Sequence, residues 1–275
     1  MHSALYAFIL TLLAGLATGI GSILAFFTKR TNTRFLSVIL GFSAGVMIYV
    51  SMVEIYIQSQ RTLVDSYGKV AGSWAALASF LGGILFIGFI DKFVPEAENP
   101  HAVQKVEELD KAEKKMEMGS HLDINKLHRT GLFTAIAITI HNFPEGMATF
   151  IAALREPALG LAIAVAIALH NIPEGIAVSI PIYYATGSRR KAFIYSFLSG
   201  LAEPVGAIAG YLILMPFLSD TLLGIIFGMV GGIMVYISFD ELLPSAQKYG
   251  EHHLSIYGLI SGMIVMAISL IYLKF

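Results

Sequence analysis

The sequence predicts an all-α integral membrane protein of about eight transmembrane helices with inverted internal repeats. Three observations carry that prediction: apolar runs of membrane-spanning length, too little charge for a soluble surface, and basic residues gathered in alternate loops. Of 275 residues, 56% are hydrophobic and 13% charged, with a mean hydropathy of +0.73. A soluble domain carries roughly 25% charged residues, so this composition suits a surface facing lipid. The net charge of -1 offers no electrostatic footprint for nucleic acid. Cysteine is absent, which excludes disulfides and thiolate metal ligands. Any bound metal must be held by nitrogen and oxygen.

Crossing a bilayer takes ~20 predominantly apolar residues. Suitable runs lie at about 4–27, 35–57, 70–90, 131–153, 157–184, 192–217, 221–243 and 254–273. The first lacks the basic residues that precede a cleaved signal and is long enough to span, so it reads as a retained helix. Tyr6 and Tyr272, at the outer limits of the first and last runs, read as interfacial anchors. The chain is expected to form a single transmembrane domain, 1–275, broken only by a long polar loop at 91–130. That loop carries His101, His121 and His128. Lys105 to Met118 predicts a solvated helix and the remainder a mobile segment. Its histidines are candidates for collecting metal, although scattered loop histidines are ordinarily just solvated.

With eight crossings, the loops at 28–34, 91–130, 185–191 and 245–253 fall on one side and hold fourteen of the 18 basic residues. The other side holds only Arg61, Lys69, Arg155 and Lys274. The positive-inside rule makes the first side cytoplasmic and places both termini outside.

Two repeats run through the chain. His141-Asn142-Phe143-Pro144-Glu145-Gly146 recurs as His170-Asn171-Ile172-Pro173-Glu174-Gly175, 29 residues later. Gly41, Gly45, Met47, Tyr49, Ser51 and Glu54 align with Gly228, Gly232, Met234, Tyr236, Ser238 and Glu241 at a constant offset of 187. The paired spans cross in opposite senses, so both repeats are inverted. Many secondary transporters share that architecture and place a site near the midplane.

Ionisable groups at that depth cost roughly 2.5–3.5 kcal/mol each on insertion scales. His141 and Glu145 lie mid-way along the fourth span, His170 and Glu174 along the fifth, and Glu203 along the sixth. The four-residue spacing puts each His and Glu on one helix face. Asn142 and Asn171 stand beside the histidines and offer carbonyl oxygens. Pro144 and Pro173 free a carbonyl in the preceding turn and favour a kink. Such residues can simply tie helices together, and for a lone histidine that reading prevails. Three glutamates clustered without a Lys or Arg in these spans would repel strongly, and a divalent cation is the simplest partner. Imidazole, amide and carboxylate donors suit Zn²⁺, Fe²⁺, Mn²⁺ and Co²⁺ and are too rich in nitrogen for Ca²⁺ or Mg²⁺. Three carboxylates also suffice to bridge two ions. Glu54, Asp240 and Glu241 are expected near span ends, either as acidic mouths or as plain helix-end markers. His252 and His253, on the inner side, are candidates for receiving released ions.

The paired His-Asn-x-Pro-Glu-Gly motifs, with Gly200-Leu201-Ala202-Glu203-Pro204, resemble the ZIP family of divalent metal transporters, and its bacterial zinc-uptake branch in particular. The resemblance covers all eight spans, including Met47–Glu54 and the segment from Ser238 to Pro244. It implies a 3+2+3 arrangement in the plasma (inner) membrane and uptake of zinc, with iron, manganese, cobalt and cadmium, into the cytoplasm. Carried onto this sequence, a zinc-type site uses Glu145, His170 and Glu174. An adjacent iron-type site uses Asn142, Glu145, Asn171, Glu174 and Glu203, with His141 as a further ligand or proton acceptor. Some relatives have Gln-Asp in place of the fifth-span His-Asn; here Asn171 is neutral, which implies weaker binding of the second ion. The resemblance implies no enzyme activity and no cofactor, the ions being transported substrates, and is compatible with a homodimer in the lipid bilayer. A metal-selective channel of the same fold is the nearest rival. An intramembrane metalloprotease is a distant one, because its His-Glu-x-x-His base position is occupied here by Asn142 and Asn171.

The charge map is testable by labelling. Single cysteines replacing His2 and Phe275 are expected to react with an impermeant thiol reagent in intact cells, and one replacing Lys105 is not. The reverse pattern overturns the topology.

Overall fold

The computed structural model describes residues 2–27, 33–92, 124–249 and 252–274. Their regular structure is entirely helical. Eight long helices follow the eight apolar runs. α1 is His2–Phe27. α2 starts as Thr33–Val50, widens into a π-helical turn at Ser51–Ile55 and continues as Tyr56–Tyr67. α3 is Lys69–Asp91, α4 Ile124–Arg155 and α5 Pro157–Thr186. α6 joins Arg189–Gly200 to Ala202–Ala209 and ends in a wider π turn at Gly210–Leu214 and a tighter 3-10 turn at Met215–Phe217. α7 runs through Asp220–Ile237, a π turn at Ser238–Leu242 and Leu243–Tyr249, and α8 is His252–Lys274. Seven of these are long and apolar enough to cross a membrane. α4 is longer than several of them, and its His, Asn, Pro and Glu are what lower its hydropathy. The loop histidines His101 and His121, and the side chains of His128 and His252, lie outside the described residues.

Local chemistry sets the helix ends. Gly68, at φ 78°, turns the chain from α2 into α3. Pro157 opens α5, where its missing N–H costs nothing. Gly187, at φ 63°, closes α5 in the left-handed conformation that favours glycine. Ser188 and Ser219 cap the next helices, accepting from the backbone N–H of Lys191 and Leu222 at 3.3 and 3.2 Å.

Packing divides the helices into α1, α4, α5 and α6, which surround the predicted site, and α2, α3, α7 and α8. In lipid the hydrophobic effect cannot drive helices together, so small residues and buried hydroxyls must. A Cβ on Gly15 would strike the Gly200 carbonyl, and one on Gly200 the Gly15 carbonyl. α2 meets α8 in the same way, through Gly45 against Leu259 and Gly262 against Phe42. Ser37 donates to Ala246 O at 2.7 Å, and Ser59 to Gly224 O at 2.6 Å, fastening α2 to α7. Large apolar side chains cover the outside, among them Leu13 of α1, Leu85 of α3 and Ile271 of α8.

One polar cavity of about 460 Å³ is lined by Asp65, Arg155, Glu156 and Asp220 among others. These residues flank the α2–α3, α4–α5 and α6–α7 junctions. The three junctions therefore share one end of the bundle, as alternately crossing helices require.

Glu54 and Glu241 depart from expectation. Neither ends its helix. Each is the fourth residue of a π turn, and the two turns, Ser51–Ile55 and Ser238–Leu242, stand at the 187-residue offset of the sequence repeat. A π turn adds one residue to a helical turn and redirects the side chains around it. Here it turns both glutamates inward, to 7% and 3% exposure, while Asp240 stays exposed.

The close crossing of α1 and α6 predicts that Gly15→Leu lowers stability by about 1–3 kcal/mol through forced separation of the helices. Gly82→Leu is the control, because nothing lies within 4 Å of its added carbon. Thermal denaturation in detergent compares them, and equal melting temperatures would contradict the crossing.

Candidate metal centre

α4 and α5 lie side by side, and the four-residue spacing turns His and Glu of each toward their common interior. α6 closes this space from one side and α1 from another. His141, Asn142, Glu145, His170, Asn171, Glu174 and Glu203 are all at 3% exposure or less. α4 and α5 stay continuous through Pro144 and Pro173. α6 instead breaks its regular geometry at Leu201, one turn before Pro204.

His170 is at the middle of the cluster. Its Nε2 donates to Glu145 Oε2 on α4 at 3.2 Å and lies 3.8 Å from Glu174 Oε1, one turn along α5. Asn171 donates through its amide to Glu203 Oε1 in a very short contact and to Ala14 O at 2.8 Å. Asn142 donates to Ser199 O at 3.4 Å. Glu203 also lies within the electrostatic field of Glu145, His170 and Glu174, which joins the two groups into one centre. His141 takes a different partner. It lies within the electrostatic reach of Glu241 of α7, which the sequence had placed at a span end. The signal was available only as the alignment of Glu241 with Glu54, and the inward turn that buries it has no signature in hydropathy. His253, by contrast, is exposed and stacks against Tyr257, with ring centroids 6.3 Å apart.

The donor set has a consistent chemistry. Asn142 Oδ1, Asn171 Oδ1, His170 Nδ1, Glu174 Oε2 and Glu203 Oε2 are buried without a hydrogen-bond partner. Leaving such a group unsatisfied costs about 1–3 kcal/mol. With His170 Nε2 donating, every one of these atoms presents a lone pair, the complement of a cation. No Lys or Arg occurs in residues 141–154, 157–186 or 192–217 to supply that charge instead. Among the described residues, no three His, Asp or Glu side chains already converge as a complete coordination set.

Comparison with known proteins follows from this geometry. Residues 58–270 match the family described as ZIP Zinc transporter. Three relatives carry the description "Zinc transporter ZupT". The protein of Oceanobacillus iheyensis is 61% identical over 273 residues, covering 99% of this chain and all of its own length. That of Lysinibacillus sphaericus is 60% identical over 271 residues, covering 98% of each chain. That of Clostridium perfringens is 59% identical over 277 residues, covering 98% of this chain and 97% of its own.

The centre predicts metal binding that depends on its carboxylates. In purified protein, zinc is expected to raise the melting temperature, and Glu145→Gln or Glu174→Ala to remove most of that rise. Glu→Gln keeps the size and removes the charge that offsets a dication. A full zinc-dependent rise in Glu174→Ala would place the ion elsewhere.

Proposed function

The chain belongs to the ZIP zinc-transporter family, and from that premise we propose that it takes up zinc and related divalent cations into the cytoplasm as a multi-pass carrier of the plasma (inner) membrane. It is a transporter and not an enzyme. The observation that carries the reading is His170 held between Glu145 and Glu174 in a buried interior whose remaining free atoms are all lone-pair donors.

Two ions are assigned to this interior. Zinc takes Glu145, His170 and Glu174. Iron, and with it the other transition-metal dications, takes Asn142, Glu145, Asn171, Glu174 and Glu203. The Asn171–Glu203 contact supports grouping those two around one ion, and the shared Glu145 and Glu174 make the pair of sites binuclear. His141, within the electrostatic reach of Glu241, serves as the next contact along the path. The inverted relation of the halves is supported by the equal offset of the two π turns. The cavity bordered by Asp65, Glu156 and Asp220 lies at the end assigned to the outside, where three carboxylates against Arg155 attract cations. Deep burial of the centre supports a carrier over a channel, which needs a continuous water path to these side chains. α3 and α8, the least buried spans, meet lipid, and a homodimer would pair through one of them.

Proteoliposome uptake of labelled zinc and iron tests the assignment. Glu174→Ala is expected to lose uptake of every metal. His170→Ala leaves oxygen ligands alone and is expected to impair zinc more than iron or manganese. Asn171→Ala and Glu203→Ala are expected to show the opposite bias. Equal proportional loss of both metals in His170→Ala means the two ions do not occupy separable sites.

A further inference from the structure

We propose that Thr18, at the middle of α1, is the counterpart of Glu203 and presents its hydroxyl as an oxygen donor to the transported cation on the Asn142 side of the centre. The proposal rests on the reading of this centre as a cation-transport site and adds a residue from a helix to which no ligand has been assigned.

Several contacts in the bundle occur twice. α1 and α6 correspond at an offset of 185 residues, and α4 and α5 at 29. Gly15 and Gly200 correspond, and each is pressed against the other's carbonyl. A Cβ on Gly175 of α5 would strike Thr18 O of α1, and one on Gly146 of α4 would strike Glu203 O of α6. Gly21 abuts Ile172 O, and its counterpart Gly206 abuts Phe143 O. The polar contacts obey the same rule. Asn171 donates to Ala14 O, and Asn142 donates to Ser199 O, which is the corresponding carbonyl. Every contact that α5 makes with α1 in this set is remade by α4 with α6.

Asn171 has one further partner, Glu203. The same exchange carries Asn171 onto Asn142 and Glu203 onto Thr18. Thr18 therefore stands toward Asn142 as Glu203 stands toward Asn171. The side chains match in placement as well. A Cβ on Gly15 would lie 3.4 Å from Glu203 Cβ, and one on Gly200 would lie 2.9 Å from Thr18 Cβ and 2.8 Å from Thr18 Oγ1, which puts the hydroxyl beside the α6 backbone at Gly200.

The hydroxyl itself behaves unlike its neighbours. Thr11, Thr139, Thr149 and Thr186 each return their hydroxyl to the carbonyl four residues back, at 2.6–3.0 Å. That is the usual way for a threonine to satisfy itself in an apolar helix. Thr18 does not do so. It is fully buried, and among the described residues its Oγ1 has no hydrogen-bond partner. Asn142 Oδ1 on the same side is in the same condition. A neutral hydroxyl at this point adds an oxygen ligand without adding to the repulsion among Glu145, Glu174 and Glu203.

Thr18→Val keeps the shape and removes the oxygen, whereas Thr18→Ser keeps the oxygen and removes a methyl group. In proteoliposomes carrying the full chain, Thr18→Val is expected to raise the KM for zinc about fivefold. Thr18→Ser is expected to stay within about twofold of the native value, since it retains the same hydrogen-bonding group. The zinc-dependent rise in melting temperature is expected to follow the same order. A native KM in Thr18→Val overturns the proposal, and so does an equal change in both variants, which would mark the packing of the side chain, not its oxygen, as the important part. If Thr18→Val does not survive purification, Thr18→Ala against Thr18→Ser makes the same comparison. A native chain that takes up no divalent ion removes the transport reading and this proposal together. A transporting native chain matched by Thr18→Val removes this proposal alone.

Discussion

Glu145, Glu174 and Glu203 share one interior from which water is excluded, and their mutual repulsion is the constraint around which the molecule is arranged. Each carboxylate would be costly there alone, and three together need either protons or a cation. The surrounding helices reduce the cost without removing it. His170 donates to Glu145, and Asn171 donates to Glu203. Both donors come from adjacent residues of one helix, so α5 serves α4 with one side chain and α6 with the next. Several lone pairs are still left over. An interior satisfied to completion would have no use for an ion, and one left wholly bare would not fold.

That balance depends on how closely backbones can approach. Glycines at the crossings of α1 with α6 and of α2 with α8 bring carbonyls within reach of partner helices. Ser22 of α1 and Ser196 of α6 donate to the same carbonyl, Gly175 O on α5, at 3.3 and 3.2 Å. Small residues thus do in lipid what large apolar side chains do in a soluble core. Bulk is sent outward, where Leu, Ile and Phe face the hydrocarbon.

Much of the fold was legible in the sequence because a bilayer asks for a simple signal. All eight apolar runs correspond to helices, and the seven residues read as ligands are all buried. Hydropathy was less informative about where helices stop. It reports the length exposed to lipid, so it ended the second span near residue 57, whereas the helix continues to Tyr67 through polar residues such as Gln58, Arg61 and Asp65. The π turns were invisible for a different reason. No residue type marks them. Glu54 and Glu241 therefore read as span ends although both are turned inward. Thr18 was missed because a threonine among alanines and glycines looks like ordinary helix filler until the partner helix is seen against it.

The pairing of α2 with α8 has a consequence for the order of assembly. α2 is synthesised long before α8. Gly41 and Gly45 of α2 are shaped to receive the backbone of Ser255 and Leu259. Until the ribosome has delivered those residues, a glycine-lined face of α2 has no partner. α3 waits in the same way for α7, whose Met229 carbonyl abuts Gly83. The early helices can insert on their own, but they cannot finish packing before the late ones arrive. Contacts this distant along the chain delay folding and make it cooperative. A nascent chain halted before α8 would leave the bilayer with an open seam along α2, a feature for membrane quality control to recognise.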